Sequence, residues 1–128
     1  MELEDRMETH TSAPSFENLL VWQKAHQFVL NTYKMTLTFP DSEKFGLTSQ
    51  FRRAAVSIPA NIVEGYGKRS HADKARFYNI AQGSLNECRY YLRLANDLGY
   101  AETQSLTQQL NEIGKMLNSY TKKVLSSS

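Results

Sequence analysis

The sequence predicts an all-α fold, an up-and-down antiparallel four-helix bundle. Apolar residues recur at spacings of three and four in four separate segments. Short connections marked by Pro40, by Gly65 and Gly67, and by Gly99 separate them, and no segment alternates apolar and polar residues as a strand would.

The first helix is expected between Asn18 and Phe39, with Leu19, Trp22, Ala25, Val29, Tyr33 and Leu37 as its core stripe and Pro40 as its end. Val21, Phe28 and Met35, spaced seven apart, fall on another side. A monomeric bundle buries one stripe per helix, so this second stripe is expected to meet a partner.

The second helix carries Phe51, Ala54, Ala55, Ile58 and Ile62 on one arc and starts with Thr48 as the expected N-cap. Pro59 lies inside it. Proline removes one intrahelical hydrogen bond and crowds the preceding turn, so a kink is expected there. Val56, Pro59 and Val63 form a further apolar side about 100° from the core arc, a second candidate for self-association.

Ser70, with Asp73 three residues on, signals the start of the third helix. Its broad apolar face holds Phe77, Ile80, Ala81, Ser84, Leu85, Cys88, Tyr91, Leu92, Ala95 and Leu98, and Gly99 closes it. A mid-helix glycine costs about 1 kcal/mol relative to alanine, so Gly83, with Tyr90 and Leu94 on its side, is expected to mark close approach of another backbone. The fourth helix, with Thr103 as candidate N-cap, has the cleanest seam: Leu106, Leu110, Ile113, Leu117, Tyr120 and Val124. It should lie outermost.

One domain suits 128 residues, divided into a flexible acidic arm over 1–15, the bundle over 16–125 and a frayed tail over 126–128. No apolar run is long enough for a membrane helix, and the first residues lack the order of a signal peptide, so a cytoplasmic, membrane-free protein is expected. Cys88 is the single cysteine and lies on an apolar face, as a small core residue would. Residues 1–17 carry five acids and one base, which leaves 14 basic and 8 acidic residues downstream, a net charge of +6. Such asymmetry suits a polyanionic partner without requiring one.

Catalytic patterns are missing. There is no His-Glu-x-x-His pair and no Glu followed three residues later by His, so neither a metal nor a cofactor is expected. Residues 65–69 lack the spacing of a phosphate loop, with Arg69 where a hydroxyl residue would bind magnesium. His26 is expected to pack at a core seam, and His71 to occupy the first turn of a helix. Asn61, Ser84 and Glu87 lie at the edges of apolar faces, and a mutual polar contact would satisfy them as a structural group rather than a catalytic one.

The remaining feature is basic. Arg52 and Arg53, Lys68 and Arg69, then Lys74 and Arg76 with His71, are expected to form a cluster across two helix ends and their turn, with Tyr66 and Tyr78 interleaved for stacking on bases. The alternative is a solvated surface on a structural or protein-interaction module.

The run Ser49-Gln50-Phe51-Arg52-Arg53-Ala54-Ala55-Val56-Ser57-Ile58-Pro59-Ala60-Asn61-Ile62-Val63-Glu64-Gly65, with Val21-Trp22-Gln23-Lys24-Ala25 and Ile80-Ala81-Gln82-Gly83-Ser84-Leu85-Asn86-Glu87, resembles the four-helix bundle proteins encoded in intervening sequences of bacterial 23S rRNA genes. The similarity spans about Phe16 to about Leu125 and takes in the accessory proteins of diversity-generating retroelements. The resemblance implies a bacterial homopentamer with a basic surface and a central channel, binding RNA or DNA and, for the retroelement members, a reverse transcriptase. Arg52, Arg53, Lys68 and Arg69 fall within the matching stretch, and no catalytic group does. The acidic arm is a departure from a minimal member.

Overall fold

Four helices form in the computed structural model, which describes residues 15–127: α1 (Leu20–Thr36), α2 (Leu47–Tyr66), α3 (His71–Asp97) and α4 (Gln104–Ser126). Single 3-10 turns at Phe16–Asn18 and Asp41–Glu43 are the other regular elements, and no strand occurs among the described residues. The expectations for residues 1–14 and for residue 128 lie outside the described residues. Each helix packs on its neighbour in chain order and α4 closes against α1, the arrangement of an up-and-down bundle. The chain reversals give the bundle two ends. One, the Lys68 end, holds the α2–α3 turn and the last turns of α4; the other, the Arg52 end, holds residues 37–46 and 98–103.

The core seam of α1 keeps Leu19, Ala25 and Val29 of the expected stripe, with Trp22 packed beside them, and adds residues that the stripe left out. Phe28 is fully buried and Val21 nearly so, while Tyr33 is 42% exposed and Leu37 77% exposed. Val21, Ala25, Phe28, Thr32 and Thr36 face inward, with Met35 half-buried against them. The threonines belong there because each hydroxyl donates to the carbonyl four residues back: Thr32 to Phe28 O at 2.9 Å and Thr36 to Thr32 O at 2.8 Å. With its hydroxyl satisfied locally, a threonine presents its methyl to the core. The stripe of Val21, Phe28 and Met35 is therefore intramolecular core and not a partner surface. α1 also stops at Thr36, short of the expected end. Phe39 turns back into the core against Tyr100, with ring centroids 5.4 Å apart.

Pro59 sits inside α2 without interrupting it, and its ring is buried. Pro59 is thus not part of an outer stripe, whereas Val56 is 41% exposed and Val63 half-buried. Helix α2 starts two residues earlier than expected. Gly46 stands at the N-cap, and Glu43 Oε1 accepts the Leu47 N–H at 3.2 Å, so the cap is supplied from the preceding turn rather than by Thr48, which is buried.

The glycine of close approach is Gly65, not Gly83. A Cβ on Gly65 would overlap the Tyr78 ring, coming within 2.9 Å of Cδ1 and nearer still to Cε1; at Gly83 it would meet nothing within 4 Å. Tyr78 is fully buried, stacked at a tilt on Tyr120 with centroids 5.1 Å apart. Ser70 Oγ accepts the Asp73 N–H at 3.0 Å to begin α3. At the far end Tyr100 N–H reaches Ala95 O at 2.9 Å and Gly99 N–H reaches Asn96 O at 3.0 Å, a Schellman closure around Gly99, whose φ is +74°. On α3, Ile80 and Leu98 are exposed rather than core, while Ala81, Ser84, Leu85, Cys88, Leu92 and Ala95 are buried. The α4 seam is as expected, with Leu106, Leu110, Ile113 and Leu117 buried and Tyr120 and Val124 packed beside them. Its N-terminal amide at Gln104 is accepted by Glu102 Oε1 at 3.1 Å instead of by the Thr103 hydroxyl, and Ser126 stays in the helix rather than fraying.

Candidate nucleic-acid interface

The six basic residues do not form one cluster. Arg53 and Lys68 are both tied to α2, fifteen residues apart, which at 1.5 Å per residue separates their backbones by roughly 22 Å along the bundle. Arg52 lies at its own end as a fastener: Nε donates to Thr36 Oγ1 at 2.7 Å and Nη2 to Tyr33 O at 3.3 Å, and the guanidinium covers the Tyr33 ring at 4.6 Å. It ties the start of α2 to the end of α1. Arg53 is exposed and makes no hydrogen bond or ion pair with any described residue.

At the Lys68 end the remaining four sort by what they touch. Lys74 Nζ donates to Tyr66 O at 2.8 Å and Gly65 O at 3.4 Å, capping the last carbonyls of α2 where the helix dipole is negative. Lys68 lies over the Phe77 ring at 5.0 Å and 3.8 Å from Glu64; Arg76 covers the same ring at 4.6 Å and reaches Asp73 only at 4.0 Å. Exposed pairs at such distances hold little energy, about 0 to 1 kcal/mol, so both cations stay exchangeable. Arg69 is exposed with no partner among the described residues. Because α4 ends alongside the start of α3, Lys122 and Lys123 join this end, and Lys122 is exposed and unpartnered. These two lysines were not singled out in the sequence, since only the antiparallel return of α4 brings them here.

The aromatic members change with the geometry. Tyr78 is fully buried and cannot stack on a base, and Tyr66 is packed against the core with Lys74 over its ring. Phe77, half-buried between two cations, is the ring that this surface presents.

The polar group expected from Asn61, Ser84 and Glu87 forms in part, through a residue not anticipated. Ser57 Oγ accepts from Asn61 Nδ2 at 2.9 Å and from the Ser84 hydroxyl at 2.7 Å, bridging α2 to α3. Glu87 stands apart, 3.4 Å from the Tyr91 hydroxyl, which is also 3.5 Å from Gln50 Oε1. Burial, reinforced by the adjacent Glu87 carboxylate, raises the Tyr91 phenol above its ordinary value, so it stays a donor. Gln50, Arg53, Ser57, Ser84, Glu87 and Tyr91 line a cleft of about 520 Å³ between α2 and α3.

The Cys88 thiol, fully buried, is pushed up to about 12, chiefly by desolvation. His26 is exposed rather than seated in a seam, stacked on Trp22 with centroids 5.0 Å apart. Among the described residues no group of three His, Cys, Asp or Glu side chains comes together as a metal site, and no helix is long and apolar enough to cross a membrane.

The family model described as 23S rRNA-intervening sequence protein matches residues 17–119. The chain belongs to this family. A crystal structure of a protein of unknown function from the S23 ribosomal protein family of Bacteroides thetaiotaomicron is similar over 80% of this chain and 99% of that one, with 31% sequence identity and a TM-score of 0.71. No curated protein matches significantly. In this member of the intervening-sequence family, Val56, Ile80 and Tyr90 are exposed on α2 and α3, as are Leu30, Leu37 and Phe45 elsewhere.

Proposed function

We propose that the chain is a non-enzymatic, oligomeric accessory protein that binds RNA or DNA through its Lys68 end. The carrying observation is the group of outward cations around the start of α3: Arg69 and Lys122 have no partner among the described residues, and Lys68 and Arg76 have only long ones. The same turn offers the unpaired amides of a helix N-terminus, whose partial positive charge suits phosphate oxygens. Membership of a family named for 23S rRNA intervening sequences supports an RNA-related role.

A single chain presents few such cations, so the reading includes self-association, with a pentamer implied by the resemblance. Repeating the Lys68 end around a ring lets weak phosphate contacts act together through effective concentration. A reverse transcriptase is a further partner for a member associated with a retroelement, and the cytoplasm is the compartment this reading requires. The exposed Val56, Ile80 and Tyr90 also favour a second reading, an assembly module with no nucleic-acid ligand.

Fluorescence anisotropy with single-stranded and structured RNA and DNA separates the two. Binding should be steeply salt-dependent, since each neutralised phosphate releases counterions. Reversing charge at Lys68, Arg69 and Lys122 should abolish it while helicity and mass by light scattering stay unchanged. Equal binding by the reversed protein, or none by the parent at low salt, leaves the assembly module. A monomer by light scattering, or an oligomer unaffected by Val56→Glu, removes the α2–α3 assembly surface.

A further inference from the structure

The cleft between α2 and α3 lies at the Arg52 end of the bundle, remote from the outward cations of the Lys68 end. Its volume, about 520 Å³, falls among clefts that hold small ligands, about 300 to 1,000 Å³. Its two walls carry opposite charges. On α2, Arg53 has a guanidinium with no hydrogen bond or ion pair to any described residue, and Gln50 adds an amide. Ser57 Oγ accepts from Asn61 and Ser84. On α3, Glu87 is the acceptor beside the Tyr91 hydroxyl. Glu87 Oε1 receives no bond from any described residue, and Oε2 receives only the long one from Tyr91 at 3.4 Å. Such a bond is weak enough to exchange for a ligand's.

We infer that this cleft binds an unpaired guanine base, with Glu87 on its Watson–Crick edge and Arg53 on the edge that carries O6 and N7. The inference rests on the nucleic-acid reading above for the source of the base, and the same chemistry would also take a free guanine nucleotide. A carboxylate can accept two parallel bonds only from two adjacent N–H donors. Guanine offers N1–H beside the N2 amine. Adenine and cytosine place a ring nitrogen lone pair beside their amine, and uracil flanks its one N–H with two carbonyls, so each sets lone pairs against the carboxylate. Guanine also offers two adjacent acceptors, O6 and N7, to a guanidinium fork. Unpaired bases read on these edges are the usual basis of sequence choice in single-stranded RNA. Phosphate contacts at the Lys68 end then supply affinity without base choice, and the cleft supplies a local preference.

The test has two arms on the intact protein. In the first, NMR titration with GMP, IMP and AMP is followed at Arg53 and Tyr91. GMP should bind at least about fivefold more tightly than AMP, the lower bound for one bidentate base contact. IMP, which lacks the N2 amine, should fall between them. Glu87→Gln, an exposed change of the same shape, should erase the preference. In the second arm, a uridine-rich strand carrying one guanosine is compared with the same strand carrying one adenosine.

Preference in both arms supports the cleft as a reader of strands, and preference for GMP alone supports it as a site for free nucleotide. Equal response to GMP and AMP overturns the inference, as does a preference that survives in Glu87→Gln. Strands that bind without base choice, with no GMP response, defeat the cleft and spare the nucleic-acid reading. GMP binding with no strand bound in any form does the reverse.

Discussion

The two ends of the bundle use their charged residues differently. At the Arg52 end two of them fasten the fold: Arg52 ties α2 to Thr36 and Tyr33, and Glu43 accepts from Leu47 N–H at 3.2 Å and from the Tyr100 hydroxyl at 2.8 Å, while Arg53 is left to the cleft. At the Lys68 end Lys74 is committed in this way, while Arg69 and Lys122 hold no described residue. The cause is geometric. Residues 37–46 fold back over their end, carrying Phe39 into the core and Glu43 within reach of Leu47 N–H and the Tyr100 hydroxyl, while Arg52 reaches the last turn of α1. The α2–α3 turn spans four residues, 67–70, too few to cover its neighbours. A long connection satisfies the charges near it, and a short one leaves them to solvent or to a ligand.

The largest way to disturb the comparison lies beneath the exposed charges. Gly65→Ala would drive a methyl into the buried Tyr78 ring, and overpacking of this kind costs about 1 to 3 kcal/mol. Chemical denaturation should show that loss, together with weaker nucleic-acid binding, since Lys68 and Lys74 sit on the displaced turn. Unchanged stability would mean that the Lys68 end is soft rather than rigid.

Arg52→Ala should follow, at about 1.5 kcal/mol for its charge-assisted bonds, with nucleic-acid binding retained. If binding falls with little loss of stability, Arg52 belongs to the interface and the contrast between the ends fails.

A smaller effect is written in pH. The Tyr100 hydroxyl first, and the Leu47 amide second, lower the Glu43 carboxyl below its ordinary value. A lowered carboxyl contributes stability that is present above its unfolded pKa and is lost as pH falls through the folded one. Tyr100, raised mainly by its bond to Glu43, contributes stability that is present below its ordinary range and is lost as pH rises through the folded value. Denaturation midpoints measured against pH should therefore lose part of their acid slope in Glu43→Gln and part of both slopes in Tyr100→Phe. An acid slope that is unchanged in Glu43→Gln would show that Glu43 is not a fastener.

Arg69→Ala should do least to stability, staying within about 0.5 kcal/mol as an unpartnered surface change does. Its effect belongs to anisotropy titrations, as a shallower salt dependence. A clear loss of stability would place Arg69 with Arg52.

These contrasts show where the sequence was readable. The α4 seam could be read directly because its inward positions, Gly114 apart, are large and apolar. The α1 seam could not, because Thr32 and Thr36 count as polar in any periodicity while their hydroxyls are satisfied by their own helix, and Tyr33 and Leu37 count as apolar while facing out. The error shifted the stripe, and Phe28 passed from core to imagined interface. For the candidate site, the positions of the basic residues along the chain were legible, but their commitments were not. Nothing in the sequence distinguishes Arg52 from Arg53, which differ by one helical step and so face a hydroxyl in one case and a cleft in the other. Ser57 was missed for a similar reason: its importance lies in an acceptor shared between two helices.

Cys88 has a practical corollary. A thiol this deeply enclosed is a thiolate only at extreme alkalinity, and the sequence contains no other cysteine. The native protein is accordingly a blank background for sulfhydryl chemistry. A cysteine placed at Arg69 or Lys122 would be the one exposed thiol open to a photocrosslinker or a fluorophore, so the Lys68 end can be labelled alone and its neighbours mapped without first engineering anything out.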